Sequence, residues 1–150
     1  MDIRAVNRSD REEWARMRSQ LYSSPDPREI DDWYEAASRG GTTLVGVAVL
    51  VADRGDGSLA GFVEIGSRPY VEGCVTSPVA YLEGWYVDPE NRRQGLGAKL
   101  IQAAETWALS HGYREIASDT EIANQVSFES HLALGYEEVE RQICFRKRLG

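Results

Sequence analysis

The sequence predicts one mixed α/β domain, α+β in its order of elements, with a largely antiparallel central sheet and helices flanking its faces. Three observations lead there. Two Val/Leu-rich runs, Thr43 to Ala52 and Leu59 to Ser67, enclose the turn composition Arg54-Gly55-Asp56-Gly57 and read as an antiparallel hairpin. Apolar residues recur at helical spacing both before and after that hairpin. The 150 residues hold no internal period and no Pro/Ser-rich linker, which is enough chain for one core and too little for two ordinary domains.

In chain order, Asp2 to Val6 reads as a short edge strand. Ser9-Asp10 then offers an N-cap to a helix carrying Trp14, Met17, Arg18 and Leu21, which Ser24-Pro25-Asp26-Pro27 breaks. A second helix, Arg28 to Ser38, puts Ile30, Trp33, Tyr34 and Ala37 on one face and ends at Gly40-Gly41. After the hairpin, the stretch from Arg68 to Pro78 is irregular and long for a hairpin connection, which makes it a candidate functional loop. Val79 to Val87 is a strand interrupted by Gly84, and glycine within a strand marks a bulge or a close backbone approach. A helix from Leu96 to Ser110 turns Leu96, Leu100, Ala103, Ala104 and Trp107 inward and closes at Gly112. Glu115 to Asp119 predicts a short strand, Asn124 to Leu134 a helix closed by Gly135, and Gln142 to Lys147 a final strand.

Composition narrows the function classes. With 42% hydrophobic and 27% charged residues, 14 Gly and 5 Pro, the chain is not collagenous, coiled-coil or wholly disordered. A formal charge of −7 argues against nucleic acid as the main partner, since phosphate binding needs a basic face, and it suits a cationic ligand. The same charge also serves plain solubility. The longest apolar stretch, Leu44 to Ala52, is about half a membrane-spanning helix, and the opening Met-Asp-Ile-Arg-Ala lacks a signal peptide's layout; a cytoplasmic location without membrane contact is expected. The cysteines, Cys74 and Cys144, have neither metal-site spacing nor disulfide-scaffold density and read as buried or incidental thiols, and no metal is expected.

The chemistry is carried by Tyr86-Val87-Asp88-Pro89-Glu90-Asn91-Arg92-Arg93-Gln94-Gly95-Leu96-Gly97-Ala98-Lys99-Leu100, a strand followed by a basic, glycine-bearing turn into a helix. Main-chain N–H groups from about Gln94 to Lys99 lack intrahelical acceptors, so with the helix dipole they can hold a pyrophosphate. Gly95 and Gly97 keep side chains clear, and Arg92 and Arg93 add positive charge. An ordinary strand-to-helix turn with surface arginines is the alternative. Neither the Walker nor the Rossmann spacing fits.

Arg92-Arg93-Gln94-Gly95-Leu96-Gly97 resembles motif A of the GNAT superfamily of acetyltransferases, Gln/Arg-x-x-Gly-x-Gly/Ala, and Asn124 with Leu134-Gly135-Tyr136 resembles that family's later helix. The resemblance sharpens toward aminoglycoside 6′-N-acetyltransferases in Leu82-Glu83-Gly84, Ala117-Ser118-Asp119-Thr120, Leu134-Gly135-Tyr136-Glu137-Glu138, Glu140-Arg141 and the Tyr70-Val71-x-Gly73-Cys74 loop. It implies acetyl-CoA as donor, a V-shaped opening between two central strands for its pantetheine arm, a cationic antibiotic as acceptor, a role in antibiotic resistance, and commonly a homodimer.

It also implies roles for residues. Glu83 and Asp119 would attract the substrate ammonium and accept its proton directly or through water; otherwise they are a solvated strand residue and the start of a turn. Glu140 would add charge for another amino group, and Tyr22 and Tyr70 would pack on sugar rings, although Tyr22 stands where a tryptophan is the family's expectation. Trp85, Tyr86 and Val87 would offer backbone groups to pantetheine while their side chains serve the core. Arg93, Gln94, Gly95, Leu96, Gly97 and Ala98 would take the pyrophosphate, and Asn124, also a good N-cap, would contact the arm of CoA. His131 occupies the position where many GNAT enzymes place a thiolate-protonating tyrosine; it is a candidate general acid or a hydrogen-bonded core residue. The competing functions are acetylation of polyamines or protein N-termini, and a non-catalytic acyl-CoA-binding regulatory module.

Overall fold

The computed structural model describes residues 1–38 and 48–150. Its elements are β1 (Asp2–Ala5), α1 (Arg11–Leu21), α2 (Arg28–Ser38), β2 (Ala48–Asp53), β3 (Leu59–Arg68), β4 (Val79–Val87), α3 (Leu96–Ser110), β5 (Ile116–Ala117) and α4 (Gln125–Ala133). The five strands lie side by side in sequence order; β1 to β4 run antiparallel and β5 joins β4 in parallel after the α3 crossover. The expected mixed sheet with flanking helices is therefore present. Gly40-Gly41 and the predicted strand residues 43–47 lie outside the described residues.

Local chemistry sets the boundaries. The first helix is entered through a 3-10 turn, Arg8–Asp10, capped by Asn7 rather than by Ser9-Asp10: the Asn7 side chain accepts from the Ser9 N–H, and the Asp10 carboxylate accepts from the Asn7 N–H at 2.8 Å. The hairpin turn between β2 and β3 uses Gly55 and Gly57 at φ 84° and 90°, as its composition requires. β3 is buried on both faces because helices cover both sides of the sheet. On one side, Leu96, Leu100, Ile101 and Ala104 of α3 meet Ala52, Val63, Ile65, Ala80 and Leu82. On the other, Trp14, Met17 and Ile30 of α1 and α2 meet Val49, Val51, Phe62 and Tyr86. Each large side chain fully buried this way contributes about 1.5–3 kcal/mol before entropy is counted. Trp107, expected inward, packs half-buried against the core on the α3 side and stacks on His111 and Tyr113, and Ile101, not among the residues expected inward, is fully buried.

The predicted strand from Gln142 to Lys147 does not form. Residues 137–150 run without secondary structure and exposed, with Ile143 80% and Phe145 92% accessible. A strand exists only where another backbone completes its hydrogen-bond ladder, and this segment finds none among the described residues. Nor are the thiols buried: Cys74 is half-buried and Cys144 exposed.

Candidate active site

The site is built around a break in the sheet. β3 and β4 pair Glu64 with Gly84 and then Ile65 with Leu82, so Glu83 is the extra residue of a β-bulge. Gly84 is where the backbone is approached closely: a Cβ there would collide with the Tyr22 hydroxyl and come within 2.9 Å of Glu64 Oε1. On its other edge β4 pairs with β5 only at Ala80 and Tyr81. Among the described residues no strand pairs with that edge from Leu82 to Val87, and this is the expected opening between central strands.

The acceptor side gathers distant residues. Arg68, at the end of β3, donates to both oxygens of Glu83, at 3.1 and 2.9 Å, and its guanidinium lies 3.5 Å from the centre of the Tyr81 ring. Tyr81 in turn donates its hydroxyl to Asp119 at 2.5 Å. Burial first, and the Asp119 carboxylate second, push the Tyr81 phenol upward, while its Glu83 partner raises Arg68. Glu83 and Asp119 are thereby joined through Arg68 and Tyr81, neither of which sequence reasoning singled out. Tyr70 is 66% exposed on its loop, beside Glu72 and within the field of Glu140. Glu140 itself is exposed at the start of the C-terminal segment, whose Val139 packs against Gly73. Tyr22 is half-buried; Arg18 stands 4.8 Å over its ring, and its hydroxyl donates to the Glu83 carbonyl at 3.1 Å. That hydroxyl ties the end of α1 to the bulge.

The donor side is local. Arg93 at φ 62° and Gly95 at φ 81° make a left-handed turn into α3. The Lys99 N–H is already taken by the Gly95 carbonyl at 3.1 Å, so the free donors are narrower than the sequence indicated: those from Gln94 to Ala98 meet no backbone acceptor among the described residues. Arg92 donates to the Val87 carbonyl, tying the turn to the end of β4. Gly97 lies against Trp85, where a Cβ would stand 3.1 Å from the indole. Tyr86 is buried in the core, and Trp85 and Val87 pack on it, as expected. The buried Trp85 indole N–H meets no partner among the described residues.

His131 lies between the two sides, its ring edge-on to Trp85 and Tyr136. Its Nδ1 sits 2.7 Å from the Ser127 carbonyl, which can only accept, so the proton is on Nδ1; Nε2 is then free to accept from the Ser118 hydroxyl at 2.8 Å. Asn124 caps α4 by accepting the Ser127 N–H at 3.1 Å, and its own N–H donates to the Glu121 carbonyl, leaving its side-chain NH2 for any ligand. Among the described residues no group of three or more His, Cys, Asp or Glu is set to hold a metal, and no helix is long and apolar enough to cross a membrane.

A turn suited to an anion at a helix start lies beside a strand edge unpaired among the described residues and a bulge, the frame of a transferase site, and residues 7–136 match the acetyltransferase (GNAT) family. The chain belongs to that family. It is 44% identical over 148 residues to an aminoglycoside N(6′)-acetyltransferase type 1 of Klebsiella aerogenes, covering 98% of this chain and 96% of that protein. It is 39% identical to one of Salmonella typhimurium, covering 99% of each. Among solved structures it resembles AAC(6′)-Iy in complex with a bisubstrate analogue of CoA and acetylneamine, with a TM-score of 0.86 at 39% identity over 99% and 98% of the chains. It also resembles the unliganded AAC(6′)-IG of Acinetobacter haemolyticus, with a TM-score of 0.86 at 30% identity over the whole of both.

Proposed function

We propose that the protein is a cytoplasmic aminoglycoside 6′-N-acetyltransferase that transfers acetyl from acetyl-CoA to the 6′-amine of the antibiotic in a ternary complex and so confers resistance. The observation that carries this is similarity along nearly the whole chain to enzymes of that name, the Klebsiella aerogenes relative at 44% identity among them. The residues fit the donor. Five consecutive N–H groups that meet no backbone acceptor among the described residues suit a pyrophosphate, and the edge of β4 left unpaired among those residues suits an amide-bearing arm. When bound, acetyl-CoA supplies an acetyl group already activated as a thioester.

The chain's residues do the rest. Glu83 and Asp119 draw in the ammonium and begin removal of its proton, because only the neutral amine has a lone pair to attack with. Tyr81 and Arg68 hold those carboxylates in place. Tyr70 and Glu140 flank a further part of the cationic substrate. To act as the acid, His131 takes a second proton on Nε2 and passes it through the Ser118 hydroxyl to the departing thiolate, while its Nδ1 proton stays on the Ser127 carbonyl. Juxtaposition of the two reactants contributes on the order of 7 kcal/mol in favourable cases.

The enzyme works as a homodimer. The exposed C-terminal segment, with Val139, Ile143, Phe145 and Leu149 all at odd positions, supports a strand that a second copy completes. Light scattering of a Phe145→Asp variant should give half the wild-type mass; an unchanged mass rejects this surface as the interface.

The test of the activity is release of CoA from acetyl-CoA, with the acceptor-free rate subtracted. Rapid turnover with a 6′-amino aminoglycoside that collapses for its 6′-hydroxyl analogue is the expected result. Turnover only with spermidine or a basic peptide assigns another acceptor, and binding without turnover assigns a sensor. A folded His131→Ala enzyme that keeps most of its kcat removes the acid role.

A further inference from the structure

Behind the bulge lies a charged cluster that the transfer reaction as described leaves unused. Glu64 is 0% exposed in the middle of β3, and Arg18, itself 3% exposed on α1, is ion-paired to its Oε2. The same guanidinium reaches Glu29 of α2 at 2.5 Å. Glu64 Oε1 makes no complete hydrogen bond among the described residues, though the Tyr22 hydroxyl beside it acts on the Glu64 carboxyl as a hydrogen-bond partner. It sits beside Gly84 together with the Tyr22 hydroxyl, in the space that glycine leaves open. An incompletely satisfied carboxylate oxygen at full burial is costly, so its retention demands a reason.

The position supplies one. A cavity of about 380 Å³ opens at this point, lined by Arg18, Tyr22, Ser23, Glu29, Trp33 and Glu83 among others. Tyr22 lines that cavity, and its hydroxyl stands beside Gly84 with Glu64 Oε1. The Tyr22 O–H now points at the Glu83 carbonyl, and rotation about its C–O bond turns it toward Glu64. Glu83 and Asp119 attract the ammonium while held by Arg68 and Tyr81, and a group further in would keep the proton once the amine has lost it.

We propose that Glu64 is the group that stores the substrate's proton, reached through the hydroxyl of Tyr22. This rests on the acetyl-transfer reading above. In the step, the ammonium N–H bond breaks and its proton joins a lone pair of the Tyr22 oxygen as the phenol gives its own proton to Glu64 Oε1. The products are a neutral amine, an unchanged tyrosine and a protonated Glu64, and the reverse path through Tyr22 returns the proton to water after product leaves. Tyr22 touches the substrate; Glu64 acts only through it.

The charges facing Glu64 favour such a store. Burial raises its carboxyl, the Arg18 guanidinium opposes that, Glu29 adds to it, and the balance pushes it up to about 7. Burial and the Glu64 charge likewise push the Tyr22 phenol up, so it relays a proton without ionising. A group poised near neutrality both accepts and releases a proton at working pH.

The experiment is the pH dependence of kcat at saturating substrates for wild type, Glu64→Gln, Tyr22→Phe and the double variant, each checked for folding by thermal melt. The wild type should reach a plateau above an inflection near pH 7. Both single variants should lose that plateau, keep rising with pH, and fall about a hundredfold at neutral pH. The double variant should be no slower than either single one, as one route can be cut only once. If Glu64→Gln does not fold, Tyr22→Phe alone decides. Variants that keep the wild-type inflection overturn the relay and leave Glu64 a structural ion pair. A wild type that turns over no aminoglycoside overturns the functional reading and the relay with it.

Discussion

Two carboxylates buried in the same sheet behave in opposite ways, and the difference separates the part of the molecule that is held from the part that is used. Asp88, at the end of β4, is 3% exposed and takes Arg16 at 3.0 and 2.9 Å and Arg54 at 3.0 Å. Burial works against its charge, yet the arginines outweigh burial and hold the carboxyl below the usual range. Glu64 has a single arginine and, among the described residues, an oxygen with no complete hydrogen bond, and there burial wins over Arg18 and the Tyr22 hydroxyl. Asp88 anchors the turn that presents the donor-side N–H groups. Glu64 stands at the acceptor-side bulge with its hydrogen bonding incomplete. A fully satisfied buried charge is architecture; an incompletely satisfied one beside a cavity is available for chemistry.

The largest effect expected from this contrast is on stability at the satisfied site. Asp88→Ala leaves two arginines without their shared partner, and since Arg16 is 40% exposed at its side chain the loss is discounted to about 2–3 kcal/mol. Urea unfolding measures it. A loss below about 0.5 kcal/mol would erase the distinction drawn between the two carboxylates.

The sign of the pH dependence sharpens the same contrast. Asp88 has a depressed folded pKa, so its stabilisation is present above the unfolded value of about 4 and is lost as pH falls through the folded one. Glu64 has a raised folded pKa, so its contribution is fully present below the unfolded value and is lost as pH rises toward about 7. Thermal melts of Asp88→Asn should therefore lose part of the wild type's acid sensitivity. Those of Glu64→Gln should flatten between about pH 4.5 and 7. Identical profiles for the two variants would refute the assignment.

The donor side was legible in the sequence because it is made of contiguous backbone: a strand end, glycines at a turn and a helix start all lie between Tyr86 and Lys99. The α2, β4 and α3 boundaries were legible for a related reason, since proline, glycine and apolar period mark them locally. The acceptor side was not. Arg68 meets Glu83 only because β3 and β4 pair in one register, and Tyr81 meets Asp119 only because β5 joins in parallel. Glu64 carried a signal that could have been read, a lone charge inside the otherwise apolar run Leu59–Ile65. The C-terminal strand misled for the opposite reason: alternating apolar residues state a capacity to pair, while pairing itself needs a second backbone.

The smallest effect tests how local the donor side is. Gly95 holds φ 81°, and a Cβ placed there meets nothing within 4 Å. Gly95→Ala therefore costs only the left-handed backbone penalty, about 1 kcal/mol, with no steric displacement. Because that strain falls on the turn that aims the N–H groups, the KM for acetyl-CoA should rise by roughly fivefold while the KM for the aminoglycoside stays within about twofold. Gly97→Ala is the informative partner, since its Cβ would press on Trp85 at 3.1 Å and so reach toward His131. Equal changes in both KM values for Gly95→Ala would mean that the two sides are mechanically coupled through β4, and that the turn is not the independent unit its contiguous sequence implies.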